Sequence, residues 1–86
     1  MYYVYILQSI RKPEWLYKGN TSDLNKRVNE HNHGKNFSTA PYAPFKLIYY
    51  EAYLLKADAE AREKYLKTSI GKRVIKKQLR FFLQSQ

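Results

Sequence analysis

The sequence predicts an α+β domain with a three-stranded, mainly antiparallel sheet flanked by helices, in the order β-β-α-β-α-α. Two β-rich segments near the start are separated by a turn, and a third follows a loop that contains prolines. The second half of the chain carries apolar residues at helical spacing. Because 86 residues suffice for one modest core, we expect residues 1–86 to form a single domain.

Three segments have the composition of strands. YYVYILQS, residues 2–9, alternates and is rich in β-forming residues. RKPEW supplies a turn, after which LYKGN resumes a strand that is expected to stop at Gly19. FKLIYYEAY, residues 45–53, is the predicted third strand, and the loop before it is interrupted by Pro41 and Pro44.

Three further segments predict helices. Thr21 or Ser22 can cap the first helix, which places Asp23 at its positive end and continues to about Asn32. The second and third helices are expected over residues 56–68 and 71–82.

The charge of the chain favours a polyanionic partner. The formal net charge is +9, and no acidic residue follows Glu63. Such a one-sided excess is the expected footprint of nucleic acid binding, the alternative being an ordinary solvated surface. The absence of cysteine, of a basic leader and of a long apolar run leads us to expect a cytoplasmic protein without membrane association.

The predicted third helix is basic on one side only. At the helical period its cations occupy an arc of roughly 140°, opposite the apolar side. We expect this side to follow phosphates, because adjacent cations without interspersed acids repel one another unless an anion is present. Its residues are Lys72, Arg73, Lys76, Lys77 and Arg80.

Two charged residues lie beside apolar stripes. Arg27 shares one face of the first helix with Leu24, Val28 and His31, where its guanidinium either extends to solvent along the core or serves a site. Glu63 borders the stripe of the second helix. It either forms an ion pair, with Arg27 or with a lysine on the next turn, or is a lone ligand for a hard cation such as Mg²⁺.

Five segments, taken in order, resemble the GIY-YIG nuclease domain, in particular its small stand-alone bacterial branch. They are YVYIL, LYKGNTSDLNKR, EHNHGKNFST, LIYYEAY and DAEAREKYLK, and the similarity extends from Tyr2 to about Leu79. The resemblance implies metal-dependent hydrolysis of phosphodiester bonds with one bound divalent ion, Mg²⁺ or Mn²⁺.

The resemblance also implies a set of catalytic residues. Tyr5 and Tyr17 match the two signature tyrosines, Arg27 the helix arginine and Glu63 the metal-binding glutamate. We expect Tyr17 to act as a base or to position the attacking water, with Tyr5 as its hydrogen-bond partner. Arg27 would stabilise the charge that develops on the scissile phosphate, and the ion held by Glu63 would stabilise the leaving oxygen.

Two further positions match the family, and four features depart from it. His31 lies where some members carry a histidine, and Thr39 lies in a loop that often contacts substrate. Tyr3 stands in place of the glycine of the first signature, and the loop after FST reads APYAP where related sequences tend to be basic. The second signature reads YKG, so strand alternation directs Lys18 away from Tyr17, toward a face that is usually apolar. No asparagine follows Asn36, although many family nucleases carry one near the C-terminus.

These observations lead to two functional hypotheses. The first is a structure- or strand-selective DNA endonuclease, acting on single-stranded or branched DNA in a process such as repair, with target choice coming from DNA shape or from a protein partner. The second is a nucleic-acid-binding module without turnover, in which the strand tyrosines Tyr3 and Tyr5 stack on bases while the basic helix follows phosphates.

Overall fold

The computed structural model describes residues 1–86 and contains one antiparallel sheet with strand order β2-β1-β3. The prediction of an α+β fold with a three-stranded antiparallel sheet is confirmed. In chain order, the elements are β1 (Tyr2–Ser9), β2 (Leu16–Thr21), α1 (Leu24–Asn32), a single 3₁₀ turn (Ala40–Tyr42), β3 (Phe45–Tyr53), α2 (Lys56–Leu66), α3 (Ser69–Gln78) and α4 (Arg80–Gln84).

The central strand is β1, which is covered on both faces. Val4 and Ile6 point to one face, and Tyr5 and Leu7 point to the other, so the strand reads as a continuous apolar run. The hairpin with β2 extends to Thr21, two residues beyond the predicted end at Gly19, because the ladder continues until Tyr3 pairs with Thr21.

Each face of the sheet has its own core. On the α2–α3 face, Val4 and Ile6 pack with Ala59, Leu66 and Ile75. The opposite face, here called the α1 face, is covered by α1 and by the loop that precedes β3. Its buried residues are Tyr5, Leu7 and Phe45, and the α1 residues Leu24 and Val28 pack against them as the sequence predicts.

The first helix begins at Leu24, one residue later than a Ser22 cap and two residues later than a Thr21 cap would give. Asp23 is the N-cap, and its side chain accepts a hydrogen bond from the Lys26 N–H at 3.1 Å. The Thr21 hydroxyl is already engaged, since it accepts from the Asp23 N–H at 3.1 Å. Asp23 thus provides the helix cap, with Leu24 as the first helical residue.

The predicted start of the second helix at residue 56 is confirmed, whereas its predicted end and both predicted boundaries of the third helix are wrong. Helix α2 ends at Leu66, before Thr68, because the Thr68 side chain accepts from the Gly71 N–H at 3.0 Å and caps α3. The helix expected over residues 71–82 is broken at Leu79. Beyond the break, Arg80 donates to the Lys77 carbonyl at 2.8 Å, which satisfies an acceptor at the end of α3. None of the helices has the length and apolar character needed to span a membrane.

Helix α2 is attached to the sheet by a polar cluster around Glu51. The Arg62 guanidinium donates to this carboxylate from α2, with a closest distance of 3.0 Å. The hydroxyls of Tyr49 and Tyr53, on either side of Glu51 in β3, donate to the same group at 2.5 Å. The cluster therefore fixes the orientation of α2, the helix that carries Glu63.

Candidate functional site

The Tyr-x-Gly segment of β2 allows Tyr5 to lie across the strand. Tyr5 and Gly19 are direct partners in the β1–β2 ladder. A Cβ atom at Gly19 would lie 2.5 Å from the Tyr5 hydroxyl oxygen and 3.0 Å from Cε2 of Tyr17. Glycine is needed here because any side chain would displace both signature tyrosines from their positions on the α1 face.

A buried hydrogen-bonded chain connects β1, α1 and the loop after α1. The Tyr5 hydroxyl lies 3.0 Å from Nε2 of His31, and Nδ1 of His31 lies 2.8 Å from Oγ1 of Thr39. All three side chains are at most 2% exposed. Because the Thr39 hydroxyl also approaches the Asn36 carbonyl at 3.4 Å, we assign one direction throughout, with Tyr5 donating to His31, His31 to Thr39 and Thr39 to Asn36.

The surroundings of this chain keep Tyr5 protonated and His31 neutral. Burial raises the pKa of Tyr5, and the neighbouring Tyr17 raises it further, while Arg27 opposes the change. Burial also lowers the pKa of His31, and the nearby Arg27 charge lowers it again. Tyr5 is therefore suited to donate a hydrogen bond rather than to accept a proton.

Tyr17 is the more accessible of the two signature tyrosines. Its ring lies 5.0 Å from that of His31 and 6.3 Å from that of Tyr5, and it is only partly buried. On its other side is Trp15, which stacks on Tyr42 of the 3₁₀ turn with ring centroids 4.0 Å apart and planes inclined by 6°. The structure thus brings Tyr5, Tyr17 and His31 close together. The expected hydrogen bond between Tyr5 and Tyr17 is absent, because the Tyr5 hydroxyl is directed at His31 instead.

Arg27 opens onto a shallow polar pocket of about 210 Å³. The pocket is also lined by Glu30, His31, Lys35 and Asn36. Nε of Arg27 lies 3.6 Å from Oε1 of Glu30, and the two side chains are 43% and 32% exposed. An ion pair this long and this exposed contributes little, so the guanidinium is available to bind an anion.

Glu63 lies at the edge of β2 and is held from two sides. The Asn20 amide donates to Oε1, and Nζ of Lys67 lies 2.6 Å from Oε2. The predicted ion pair with a lysine on the next turn is therefore present, whereas Arg27 pairs with Glu30 instead. In addition to burial, the Glu63 charge contributes to the raised pKa of Tyr5, so the carboxylate acts electrostatically on the α1 face.

The donor set around Glu63 suits a hard divalent ion that keeps most of its water. No three His, Cys, Asp or Glu side chains converge anywhere in the structure, which excludes an all-protein zinc site. A single carboxylate combined with water and substrate phosphate is a usual coordination for Mg²⁺. Glu63 fits this pattern if Lys67, whose side chain is 50% exposed, moves aside.

Four of the five predicted phosphate-binding residues extend from α3 into solvent without an acidic partner. Arg80 differs, because it belongs to α4, caps α3 and lies 4.5 Å from the centre of the Phe81 ring. Thr39 also differs from expectation, since its buried side chain contacts His31 and not the surface. The four free cations are Lys72, Arg73, Lys76 and Lys77.

Two residues of β2 that sequence reasoning did not place in the site turn out to be close to it. Asn20 orients the Glu63 carboxylate, and Lys18 is buried on the same face of the strand. The signal for both was strand alternation, which directs them away from Tyr17 and toward α2. The sequence alone did not show that α2 packs on that face of β2, so the proximity of these two residues to Glu63 could not be predicted.

Comparison with known proteins identifies the family. Residues 1–77 match the GIY-YIG catalytic domain. The chain belongs to the GIY-YIG family. GIY-YIG proteins form a nuclease family, so the class of substrate is nucleic acid, and the resemblance seen in the signature strands is confirmed.

The similar proteins are bacterial proteins that carry the name UPF0213. A UPF0213 protein of Clostridium perfringens is 44% identical over 68 residues, which cover 78% of this chain and 71% of the relative. One of Streptococcus pyogenes is 39% identical over 66 residues, covering 76% and 70%. One of Staphylococcus epidermidis is 43% identical over 54 residues, covering 62% and 66%. No solved structure gives a significant match.

Proposed function

We propose that this GIY-YIG protein is a divalent-metal-dependent endonuclease that cuts single-stranded or branched DNA. The observation that carries the proposal is the convergence of Tyr17, His31 and Arg27 at one strand-helix junction, in a chain that belongs to a nuclease family. The partly exposed tyrosine, the neutral imidazole and the available guanidinium correspond to the needs of phosphodiester hydrolysis.

Tyr17 positions the attacking water or takes its proton. It is the signature tyrosine that reaches solvent, while the Tyr5 hydroxyl is committed to His31 at 3.0 Å. Tyr5 and His31 therefore act as positioning residues that form the wall against which the Tyr17 ring packs. Thr39 has a similar role one step further back, because it fixes the orientation of the His31 ring.

Arg27 binds the scissile phosphate. Its long contact with Glu30 costs little to break, and a guanidinium presents two parallel N–H donors that match two phosphate oxygens. The charge on these oxygens increases in the transition state, so the interaction strengthens as the reaction proceeds.

Glu63 is the residue that would hold the divalent ion, with Asn20 keeping its carboxylate in orientation. When bound, the ion supplies Lewis-acid stabilisation of the leaving oxygen. When no ion is bound, Lys67 neutralises the charge of the Glu63 carboxylate. The exposed cations of α3 extend the binding surface for the DNA backbone.

The substitution Glu63→Gln tests the proposal. We expect it to remove cleavage of labelled single-stranded and branched DNA in Mg²⁺ or Mn²⁺, while DNA binding measured in EDTA stays within about twofold. The exposed Glu60→Gln, one turn earlier on α2, is the matched control and should cut like the wild type. Equal cleavage by Glu63→Gln and the wild type would show that Glu63 is not the metal ligand.

A nucleic-acid-binding module without turnover is the second candidate, and one observation favours it. Both oxygens of Glu63 already have protein partners, so the carboxylate needs no metal to be satisfied. The structure rules out base stacking by Tyr5, because its ring is buried. Tyr3, which packs edge-on against the exposed Tyr50, is then the strand tyrosine that would stack on a base. This candidate predicts DNA binding that EDTA does not change and no cutting by any variant.

A further inference from the structure

A cleft between the first turn of α1 and strand β3 has no part in the reaction proposed above. Its volume is about 380 Å³, and its apolar walls are two tyrosines and two leucines, namely Tyr3, Leu24, Leu47 and Tyr50. We call it the tyrosine cleft. Its size and its apolar walls are typical of sites that hold a small organic group.

The strand register places both tyrosine rings on the α1 face. Tyr3 lies two residues before Tyr5, whose direct partner in β3 is Tyr50. The centroids of the Tyr3 and Tyr50 rings are 6.1 Å apart, their planes are inclined by 64°, and Tyr50 is 54% exposed. The direct partner of Tyr3 is Ala52, whose methyl group is too small to cover the ring. The two rings therefore form an open aromatic corner on which a flat group can stack.

The polar groups of the tyrosine cleft suit a nucleobase and not a phosphate. No lysine or arginine lines the cleft. The remaining lining side chains are exposed and carry a hydroxyl, a carboxylate and an amide, on Ser22, Asp23 and Asn25. The carboxylate repels a phosphate, whereas the three groups together offer donors and acceptors to the edge of a base. Stacking on tyrosine rings is a usual way in which proteins hold unpaired bases.

The tyrosine cleft is continuous with the phosphate position at Arg27. A smaller cavity of about 170 Å³ lies between them at the start of α1. It shares Ser22 and Asp23 with the tyrosine cleft. It shares Arg27 and Glu30 with the polar pocket described above. A DNA strand whose phosphate is bound by Arg27 can therefore place a base in the cleft without leaving the α1 face.

We propose that Tyr3 and Tyr50 form a binding subsite for one unpaired nucleobase of the DNA substrate. This inference rests on the proposed function and narrows its substrates to strands with unpaired bases. A base within a duplex is stacked on both sides and paired at its edge, so it enters the cleft only if it leaves the duplex. Tyr3 stands in place of the glycine of the first signature, and it supplies a ring where glycine would leave only backbone.

The test compares two single strands of equal length that differ only in their bases. Affinities for oligothymidylate and for a fully abasic oligonucleotide are measured in EDTA by fluorescence anisotropy at the same salt concentration. Tyr50→Ala should weaken binding to oligothymidylate by about tenfold, because the stacking of one base is lost, and should leave binding to the abasic strand unchanged. Tyr50→Phe keeps the ring and should bind both strands like the wild type.

Further measurements separate a loss of stacking from a loss of charge contacts or of structure. The slope of log affinity against log salt should be the same in Tyr50→Ala and the wild type, because no phosphate contact is lost. Phe81→Ala, which removes a 72% exposed ring from α4, is the matched control and should bind oligothymidylate like the wild type. Tyr50→Thr, a residue that suits an exposed strand position, gives the answer if Tyr50→Ala does not fold.

The outcomes separate this inference from the proposed function. Wild-type affinity of Tyr50→Ala for oligothymidylate would overturn the base subsite, and so would an equal loss of affinity for the abasic strand. Metal-dependent cleavage by the wild type would leave the nuclease proposal standing in either case. If Tyr50→Ala loses only the base-dependent affinity and the wild type cuts no strand in Mg²⁺ or Mn²⁺, the base subsite stands and the nuclease proposal fails.

Discussion

His31 connects two hydroxyl groups that would otherwise be buried without partners. Its two ring nitrogens contact Tyr5 and Thr39, and each atom of the chain has a partner, so no buried polar side-chain atom is left unsatisfied. Removing the imidazole would cost about 1–3 kcal/mol, because the two hydroxyls lose their hydrogen bonds in a site closed to water. The rigidity of Tyr5, and of the wall behind Tyr17, thus depends on one residue.

The neutral state of His31 predicts a pH-dependent loss of stability. Since its pKa is lowered in the folded protein, the unfolded chain binds the proton first, and the free energy of unfolding falls as the pH drops below about 6.5. Urea denaturation between pH 7.5 and 5.0 should show this loss in the wild type and not in His31→Gln. His33→Gln, at an exposed position two residues later, serves as control and should retain it. A loss of equal size in His31→Gln would mean that another group is responsible.

The roles of individual residues were only partly readable from the sequence. The α1 stripe placed Arg27 and His31 on one face, and the signature strands placed both tyrosines, because helical and strand periods are local properties. The contact between His31 and Thr39 was not predictable, since it depends on how the loop after α1 folds back. The same holds for Asn20 and Glu63, which meet only because α2 packs over the β2 edge.

The corner between α2 and α3 determines where Lys72 and Lys76 lie relative to Glu63. Helix α2 ends at Leu66 and α3 begins at Ser69, so only two residues make the turn. Gly71 is buried at this corner, and a Cβ atom there would lie 2.8 Å from Cα of Leu66 and overlap the backbone of Tyr65. The approach of α3 to α2 therefore requires a residue without a side chain.

Gly71→Ala should destabilise the fold. Because the obstacle is backbone and cannot move aside like a flexible side chain, we expect a loss of about 1–3 kcal/mol in the free energy of unfolding, measured by urea denaturation. Ser69→Ala, at the exposed start of α3, should change it by less than about 0.5 kcal/mol. If Gly71→Ala left the free energy of unfolding unchanged, the backbone at this corner would be able to relax without cost.

Helix positions were easier to predict than helix ends. The apolar period correctly indicated helical structure in the last third of the chain. The break at Leu79 escaped prediction because no proline or glycine marks it, and because it depends on Arg80 reaching back to the Lys77 carbonyl. Similarly, Thr68 was assigned to the second helix although it caps the third.

At the scale of the whole molecule, positive charge is largely uncompensated. The chain has 16 lysine and arginine residues, but the structure contains only three ion pairs. One of these pairs, between Arg62 and Glu51, is structural, and the other two lie at the candidate site. Most cations are thus free to interact with a polyanion, and the net charge of +9 favours rapid association with one.

Salt titration of DNA binding tests this distribution. If the four free cations of α3 each neutralise a phosphate, log affinity should fall with log salt at a slope of about −2.8 on single strands or −3.6 on duplex DNA. Fluorescence anisotropy with a labelled oligonucleotide in EDTA gives the slope. A flat response would exclude the nucleic acid backbone as the ligand of this face.

Because Trp15 stacks on Tyr42, the intrinsic tryptophan fluorescence of the protein reports on the α1 face. Trp15 is the single tryptophan of the chain, so its emission comes from one known place. One neighbour, Tyr17, belongs to the candidate site, and the other, Tyr42, follows the loop that holds Thr39. Any ligand that shifts either neighbour changes the quenching of the indole. Occupancy of the α1 face can therefore be followed in unlabelled protein, independently of the α2–α3 face.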